Sequence, residues 1–293
     1  MARFGAVLTA MVTPFDDDLA LDLDAAASLA RWLVDHGSEG LVVAGTTGEG
    51  VTLDDDEKLD LFRAVAEAVT VPVIAGTGSN DTRHSVELTK AAAGTGVDAV
   101  LAVTPYYNRP SQAGIDGHVR AIAGATDLPV VLYDIEFRTG RRLARETVLR
   151  LAREVPTVVA VKDASGDPAA TAQLVAEAPG GFEVYSGDDK LTLPLLAVGA
   201  VGVIGVGTHW CGELVGEMIA AFGKGDVETA RAVNARLLES WAFQSTDETP
   251  SPLPTKAVMR VLGHRVGDAR PPMGPSPAGL EERARAVVSR VRQ

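Results

Sequence analysis

Residues 158–163 read Val-Val-Ala-Val-Lys-Asp, an apolar run that leads straight into a lysine and an aspartate. The run is short, β-branched and continuous rather than alternating, as expected of a parallel strand covered on both faces. Taken as Val158–Lys162, it has seven companions. Val7–Val12, Gly40–Ala44, Val71–Ala75, Ala99–Val103 and Val130–Tyr133 precede it, and Glu183–Ser186 and Val201–Val206 follow. Between them lie stretches of helical periodicity, among them Asp24–Asp35, Asp54–Val69, Asp81–Ala93 and Ser111–Ala123, several opened by an Asp or Ser able to cap. That alternation suits a closed barrel or an open doubly wound sheet. The count of eight, and the lack of a Gly-rich dinucleotide fingerprint after the first run, favour an α/β fold of the (β/α)8 TIM-barrel type.

Past Gly225 the pattern changes. Val227–Phe243, Thr255–Leu262 and Pro277–Val291 read as helices with no strands between them. The expected organisation is a barrel over residues 1–224 and a C-terminal helical extension over 225–293, packed on the barrel as one structural unit. A net charge of −12 argues against binding nucleic acid or an anionic membrane. Cys211 has no partner for an intrachain disulfide and fits a reducing compartment. The opening MARFGAVLTAMVTPF lacks the long apolar stretch of a signal peptide. The longest apolar run, near 191–206, is broken by Pro194 and by Gly199, Gly202 and Gly205, so no membrane span is expected. A cytoplasmic location follows from these readings.

In a barrel the chemistry sits where the strands end at their carboxyl side. Here those ends carry hydroxyls and glycines, with no His or Cys cluster, so no transition-metal site is expected. Of the six lysines, Lys162 is the one that terminates an apolar strand. Desolvation inside a barrel disfavours its ammonium form, and a neutral amine attacks a ketone to form an imine, an electron sink for carbon–carbon chemistry. A lysine paired to a strand-end carboxylate, or reaching out of the barrel mouth, fits the same position. Three of the four tyrosines, Tyr106, Tyr107 and Tyr133, follow strands four and five, where a hydroxyl such as Thr46 or Thr47 completes a proton relay. Glycines in 45–49 (GTTGE) and 76–78 (GTG) admit backbone N–H groups to a bound carboxylate, or serve as ordinary turn residues. Arg138 suits bidentate binding of a substrate carboxylate, whereas Arg141, Arg142 and Arg145 also read as a solvated basic surface. His209, Trp210 and Cys211 read as packing or interface residues.

These motifs, in this order, resemble the dihydrodipicolinate synthase/N-acetylneuraminate lyase family of class I aldolases. The matching stretches are TPF at 13–15, GTTGE at 45–49, GTG at 76–78, TPYYNRPSQ at 104–112, RTG at 138–140, VKDASGD at 161–167 and SGDD at 186–189. GAVGVIGV at 199–206 and PLPTK at 252–256 carry the likeness into the extension. The second Thr of GTTGE and the Arg before Thr-Gly look like the synthase branch. The resemblance implies condensation of pyruvate with L-aspartate 4-semialdehyde, giving 4-hydroxy-tetrahydrodipicolinate in lysine biosynthesis. A related pyruvate-dependent lyase acting on a sugar acid or hydroxy-oxo acid is the alternative, and a non-catalytic barrel a third.

Carried over residue by residue, the likeness implies that Lys162 forms the imine and Tyr133 shuttles protons. Thr47 and Tyr107 complete the relay, with Tyr107 supplied by a neighbouring subunit. Thr46 and Thr47 bind the pyruvate carboxylate, Arg138 the semialdehyde carboxylate, and Gly187 and the Ile204 carbonyl line the site. It also implies a homotetramer built as a dimer of dimers, with no organic cofactor and no metal. Three departures carry expectations of their own. Glu136-Phe137 stands where the family has Pro-x, which frees the backbone that aims Arg138 and sets a carboxylate beside it. Gly205 stands where Ser is frequent and loosens the site. Asp55, Lys58 and His84 alter the family's lysine-feedback pocket, in which Asn80 and Tyr106 are retained, so weak or absent lysine inhibition is expected.

Overall fold

The computed structural model describes residues 2–291; residue 1 and residues 292–293 of the expected division lie outside it. Eight parallel strands close into a barrel in sequence order. They are β1 (Val7–Ala10), β2 (Gly40–Val43), β3 (Val73–Gly76), β4 (Ala99–Val103), β5 (Val130–Asp134), β6 (Val158–Asp163), β7 (Glu183–Ser186) and β8 (Gly202–Gly205), with β8 paired back onto β1. Every expected strand is present, several of them shorter. β3 begins at Val73 because Pro72 has no N–H to donate, although its carbonyl still accepts from Leu41.

Side chains alternate between two environments along each strand. Leu8, Val42, Ile74, Leu101, Val131 and Ile204 fill the barrel interior. The opposite parity, Val100, Ala102, Val130, Leu132 and Val161, packs under the surrounding helices. On β6 Ala160 faces inward, so Lys162, two residues on, faces inward as well. Pairing sets Lys162 level with Tyr133 on one side and Tyr185 on the other.

The helices start just after the residues that cap them. Asp54 forms a capping box with Glu57 ahead of helix Asp55–Ala68, and Ser111 caps Gln112–Ala123. In the C-terminal region helix Val227–Phe243 has the expected bounds. The next, Leu253–Val261, opens two residues earlier than expected, with Pro254 in its first turn. Residues 253–259 of this helix are all buried, and Leu253, Ala257, Val258 and Met259 join the cluster that also holds Met11, Phe15, Leu53 and Phe62. Among the described residues no helix is long and apolar enough to cross a membrane.

Candidate active site

A cavity of about 730 Å³ opens at the carboxyl ends of the strands. Thr46, Tyr133, Arg138 and Thr139 border its inner part, and Asp55, Lys58, Asn80, His84 and Tyr106 its outer part. Lys162 lies under this floor, 4% exposed, with its Nζ 4.4 Å from the centroid of the Tyr133 ring. Burial lowers its pKa to about 8, with Arg138 pushing the same way and Asp189 opposing. A fall from 10.5 to about 8 raises the free-amine fraction at neutral pH by roughly 300-fold. Burial likewise pushes Tyr133 up to about 12, with the Thr46 side chain nearby opposing the rise, so the phenol keeps its proton until a base asks for it.

Of the two threonines expected here, Thr46 borders the cavity together with Tyr133, and Thr47, the one expected in the relay, does not. Adjacent side chains in the turn diverge: Thr46 is exposed to the cavity, and Thr47 is 4% exposed within the protein. Among the described residues, the backbone N–H groups of Thr46, Thr47 and Gly48 meet no protein acceptor. They are free for an anion, as in an anion-binding nest. The loop is held in a costly shape, since Ala44 and Glu49 at its two ends both have positive φ (52° and 54°). Gly76, by contrast, is glycine for packing: a Cβ there would lie 2.5 Å from the Ala44 carbonyl.

Tyr107 and Arg109 also have positive φ (70° and 48°), and Tyr107 is 90% exposed, outside this chain's own cavity. Gly187 abuts the catalytic strand, where a Cβ would come within 3.0 Å of Lys162 Cγ. Ile204 is fully buried in the barrel interior. Neither lines the open cavity.

Two departures behave differently from expectation. Loss of the proline does not free the chain after β5. Glu136–Thr139 forms a helical turn, with Arg138 N–H on Ile135 O and Gly140 N–H on Glu136 O. Glu136 is exposed and absent from the cavity wall, and the Arg138 guanidinium lies 5.3 Å from the Phe137 ring centroid rather than in an ion pair. The feature that kept a sugar-acid substrate open therefore does not reach the site. Gly205 does not loosen it either, because the Asp189 carboxylate fills the space a side chain would take.

Two buried charges escaped the sequence reading. Asp189 is 3% exposed beside Lys162's strand, and Lys256 is fully buried with its Nζ 2.8 Å from Glu49. The described residues hold no group of three or more His, Cys, Asp or Glu side chains arranged for a metal.

A buried, largely deprotonatable lysine beside a protonated tyrosine, at the mouth of a (β/α)8 barrel, defines a Schiff-base lyase of the class I aldolase type. A sequence profile of the Dihydrodipicolinate synthetase family matches residues 3–291, and the chain belongs to that family. It is 53% identical over 274 residues to 4-hydroxy-tetrahydrodipicolinate synthase of Acidothermus cellulolyticus, covering 93% of this chain and 87% of that one. Dihydrodipicolinate synthase of Bacillus anthracis superposes with a TM-score of 0.94 at 43% identity, covering 99% of both chains. The enzyme of Cyanidioschyzon merolae, solved with lysine bound, gives a TM-score of 0.96 at 41% identity over 100% of this chain and 99% of that one.

Proposed function

We propose that the chain is a 4-hydroxy-tetrahydrodipicolinate synthase, condensing pyruvate with L-aspartate 4-semialdehyde in the cytoplasm. The observation that carries this reading is the Lys162 amine held dry against Tyr133. The amine adds to the pyruvate ketone and water leaves, giving an imine; loss of a methyl proton then gives an enamine that attacks the aldehyde carbon. Tyr133 and Thr46 hand protons across these steps, with Thr47 at the pyruvate carboxylate beside the free N–H groups of its loop. Arg138 takes the second carboxylate. Gly187 and the Ile204 carbonyl border the imine.

Tyr107 completes the relay from a neighbouring copy. Its loop is strained and its ring exposed, which suits a side chain lent across an interface, and the functional unit is then at least a dimer, doubled into a tetramer. The test is borohydride reduction with pyruvate, read by mass, alongside pyruvate consumption dependent on the semialdehyde. A pyruvate adduct on Lys162 with aldehyde-dependent turnover is expected; an unmodified Lys162 refutes the reading.

The outer cavity supports a statement about regulation. Asp55 is its one carboxylate close to Lys58 and His84, with Nε2 of His84 at 2.9 Å and Nζ of Lys58 at 3.3 Å. Burial pushes the Asp55 pKa up, but the His84 hydrogen bond and Lys58 together bring it below the usual carboxylate value. A second ammonium entering here meets Lys58 and finds that carboxylate occupied. Millimolar lysine is expected to leave turnover unchanged; a clear inhibition curve at sub-millimolar lysine would show the reverse.

A further inference from the structure

The motif at 104–112 ends in Gln112, which opens helix Gln112–Ala123 and has no part in the chemistry above. Its side chain reaches across to the segment that follows β5. Nε2 donates to the Arg142 carbonyl at 2.8 Å, and Oε1 accepts from the Ala144 N–H at 3.0 Å. These backbone groups flank Leu143, and are the pair that one residue of a parallel strand would address. The Leu143 N–H itself donates to Asp134 Oδ1 at 3.0 Å. Asp134 ends β5, so residues 135–142 form a loop closed at its foot by one carboxylate and held at its return by one amide. Arg138 lies in that loop.

Arg138 depends on such support. Among the described residues its guanidinium has no ion pair within 4.0 Å, and the Phe137 ring 5.3 Å away is itself 76% exposed. Nothing at the tip of the side chain fixes it, so its backbone must. The two ends of the Gln112 bracket are unequal. Helix Gln112–Ala123 is capped by Ser111 and anchored by the buried Ile115, Val119 and Ile122, whereas Glu136, Phe137 and Arg138 are exposed. The helix is the fixed end and the Arg138 loop the held one. We propose that Gln112 is a positioning residue for Arg138, and through it a determinant of affinity for the carboxylate of the second substrate. The proposal rests on the reading that Arg138 takes that carboxylate.

The chemistry of the bracket calls for a neutral amide. A carbonyl only accepts and an N–H only donates, so both ends of the glutamine are used and its orientation is fixed by its partners. Glutamate would keep the bond from Ala144 and set an oxygen against the Arg142 carbonyl. Methionine keeps the length of the side chain and loses both bonds. The Arg142 and Ala144 groups are half-buried, so water can replace the amide and the fold survives, but the tether does not. A second tie runs between the same two parts, from Arg141 Nη2 to the Arg109 carbonyl at 3.1 Å. It ends on the loop that also carries Tyr107, whereas Gln112 ends on the packed helix. Loss of Gln112 therefore falls on Arg138 first.

The experiment is steady-state kinetics of Gln112→Met with each substrate varied in turn, alongside borohydride trapping of pyruvate read by mass. KM for the semialdehyde is expected to rise about tenfold, with kcat and KM for pyruvate within about threefold and trapping on Lys162 unchanged. On an Arg138→Ala background the same substitution should add nothing, because both act through one contact with the substrate. Should Gln112→Met fail to fold, Gln112→Glu is judged by the same split and the same background. A semialdehyde KM within about twofold of the original overturns the proposal. So does an effect that persists without Arg138, or one that moves kcat and both KM values together, as a merely structural residue would. In those cases a raised semialdehyde KM in Arg138→Ala alone spares the Arg138 reading; an unchanged one overturns that reading and the proposal with it.

Discussion

Lys162→Met is expected to abolish pyruvate turnover, with kcat/KM down by at least about 10⁴, and to do so in a protein as stable as the original. Methionine matches the length and volume of the lysine stem, so the space against the Tyr133 ring stays filled. What disappears is the nucleophile, and no other side chain at the mouth replaces it. Losses of this size are typical when the covalent participant is removed from a catalytic unit. The second half of the expectation separates chemistry from folding. Lys162 is 4% exposed, and among the described residues it has no carboxylate within 4.0 Å. Its depressed pKa, about 8 against 10.5, means that the fold bears a cost on the order of 3 kcal/mol to hold the ammonium there at pH 7. Methionine relieves that cost, so the thermal midpoint at pH 7 should stay level or rise. Steady-state kinetics and a melting curve decide it. Turnover within a hundredfold of the original would mean that the carbon–carbon step does not pass through Lys162.

The barrel was legible because its signals are local. Each strand is a short apolar run bounded by a turn, and several helices announce themselves with a capping Asp or Ser, so periodicity orders β1 to β8. Lys162 was legible for a related reason: a charge that ends a continuous apolar run must either be used or be neutralised. Which of two adjacent threonines faces Tyr133 was not legible, because the left-handed residues at 44 and 49 turn the chain between them. The effect of Glu136 was misread, since a proline's absence was taken as freedom where the chain instead closes a helical turn. Asp189 was hidden because its significance lies in Gly205, sixteen residues on and across a strand pair. Lys256 had a visible sign. Leu253 and Met259, at i−3 and i+3 on one helical face, mark a buried stripe running through position 256.

That overlooked lysine supports the second large effect, a loss of stability in Lys256→Met. The ammonium lies 2.8 Å from Glu49 Oε1, donates to the Asp268 carbonyl at 2.9 Å, and sits 4.2 Å from the centroid of the Phe15 ring. Both side chains are sealed from solvent, at 0% and 2% exposure. Burial lowers the Lys256 pKa to about 8 even with Glu49 holding it up. A pair so placed adds little compared with an apolar replacement of both partners, but removing one partner strands the other. In Lys256→Met the Glu49 carboxylate keeps only the Arg270 N–H at 2.8 Å, because the Arg270 guanidinium is committed to Glu57 and to the Leu19 and Thr52 carbonyls. The expected cost is about 3–5 kcal/mol, or roughly 10 °C in the thermal midpoint. Glu49 also ends the turn that presents Thr46 and Thr47, at positive φ, so the turn loses its charged anchor to the extension and KM for pyruvate should rise more than kcat falls. The double variant Glu49→Gln/Lys256→Met removes the stranded charge and should recover at least half of the lost stability, since the two residues act as one pair. A double variant as unstable as the sum of its parts would show that packing around Lys256, rather than its pairing with Glu49, ties the helical extension to the catalytic turn.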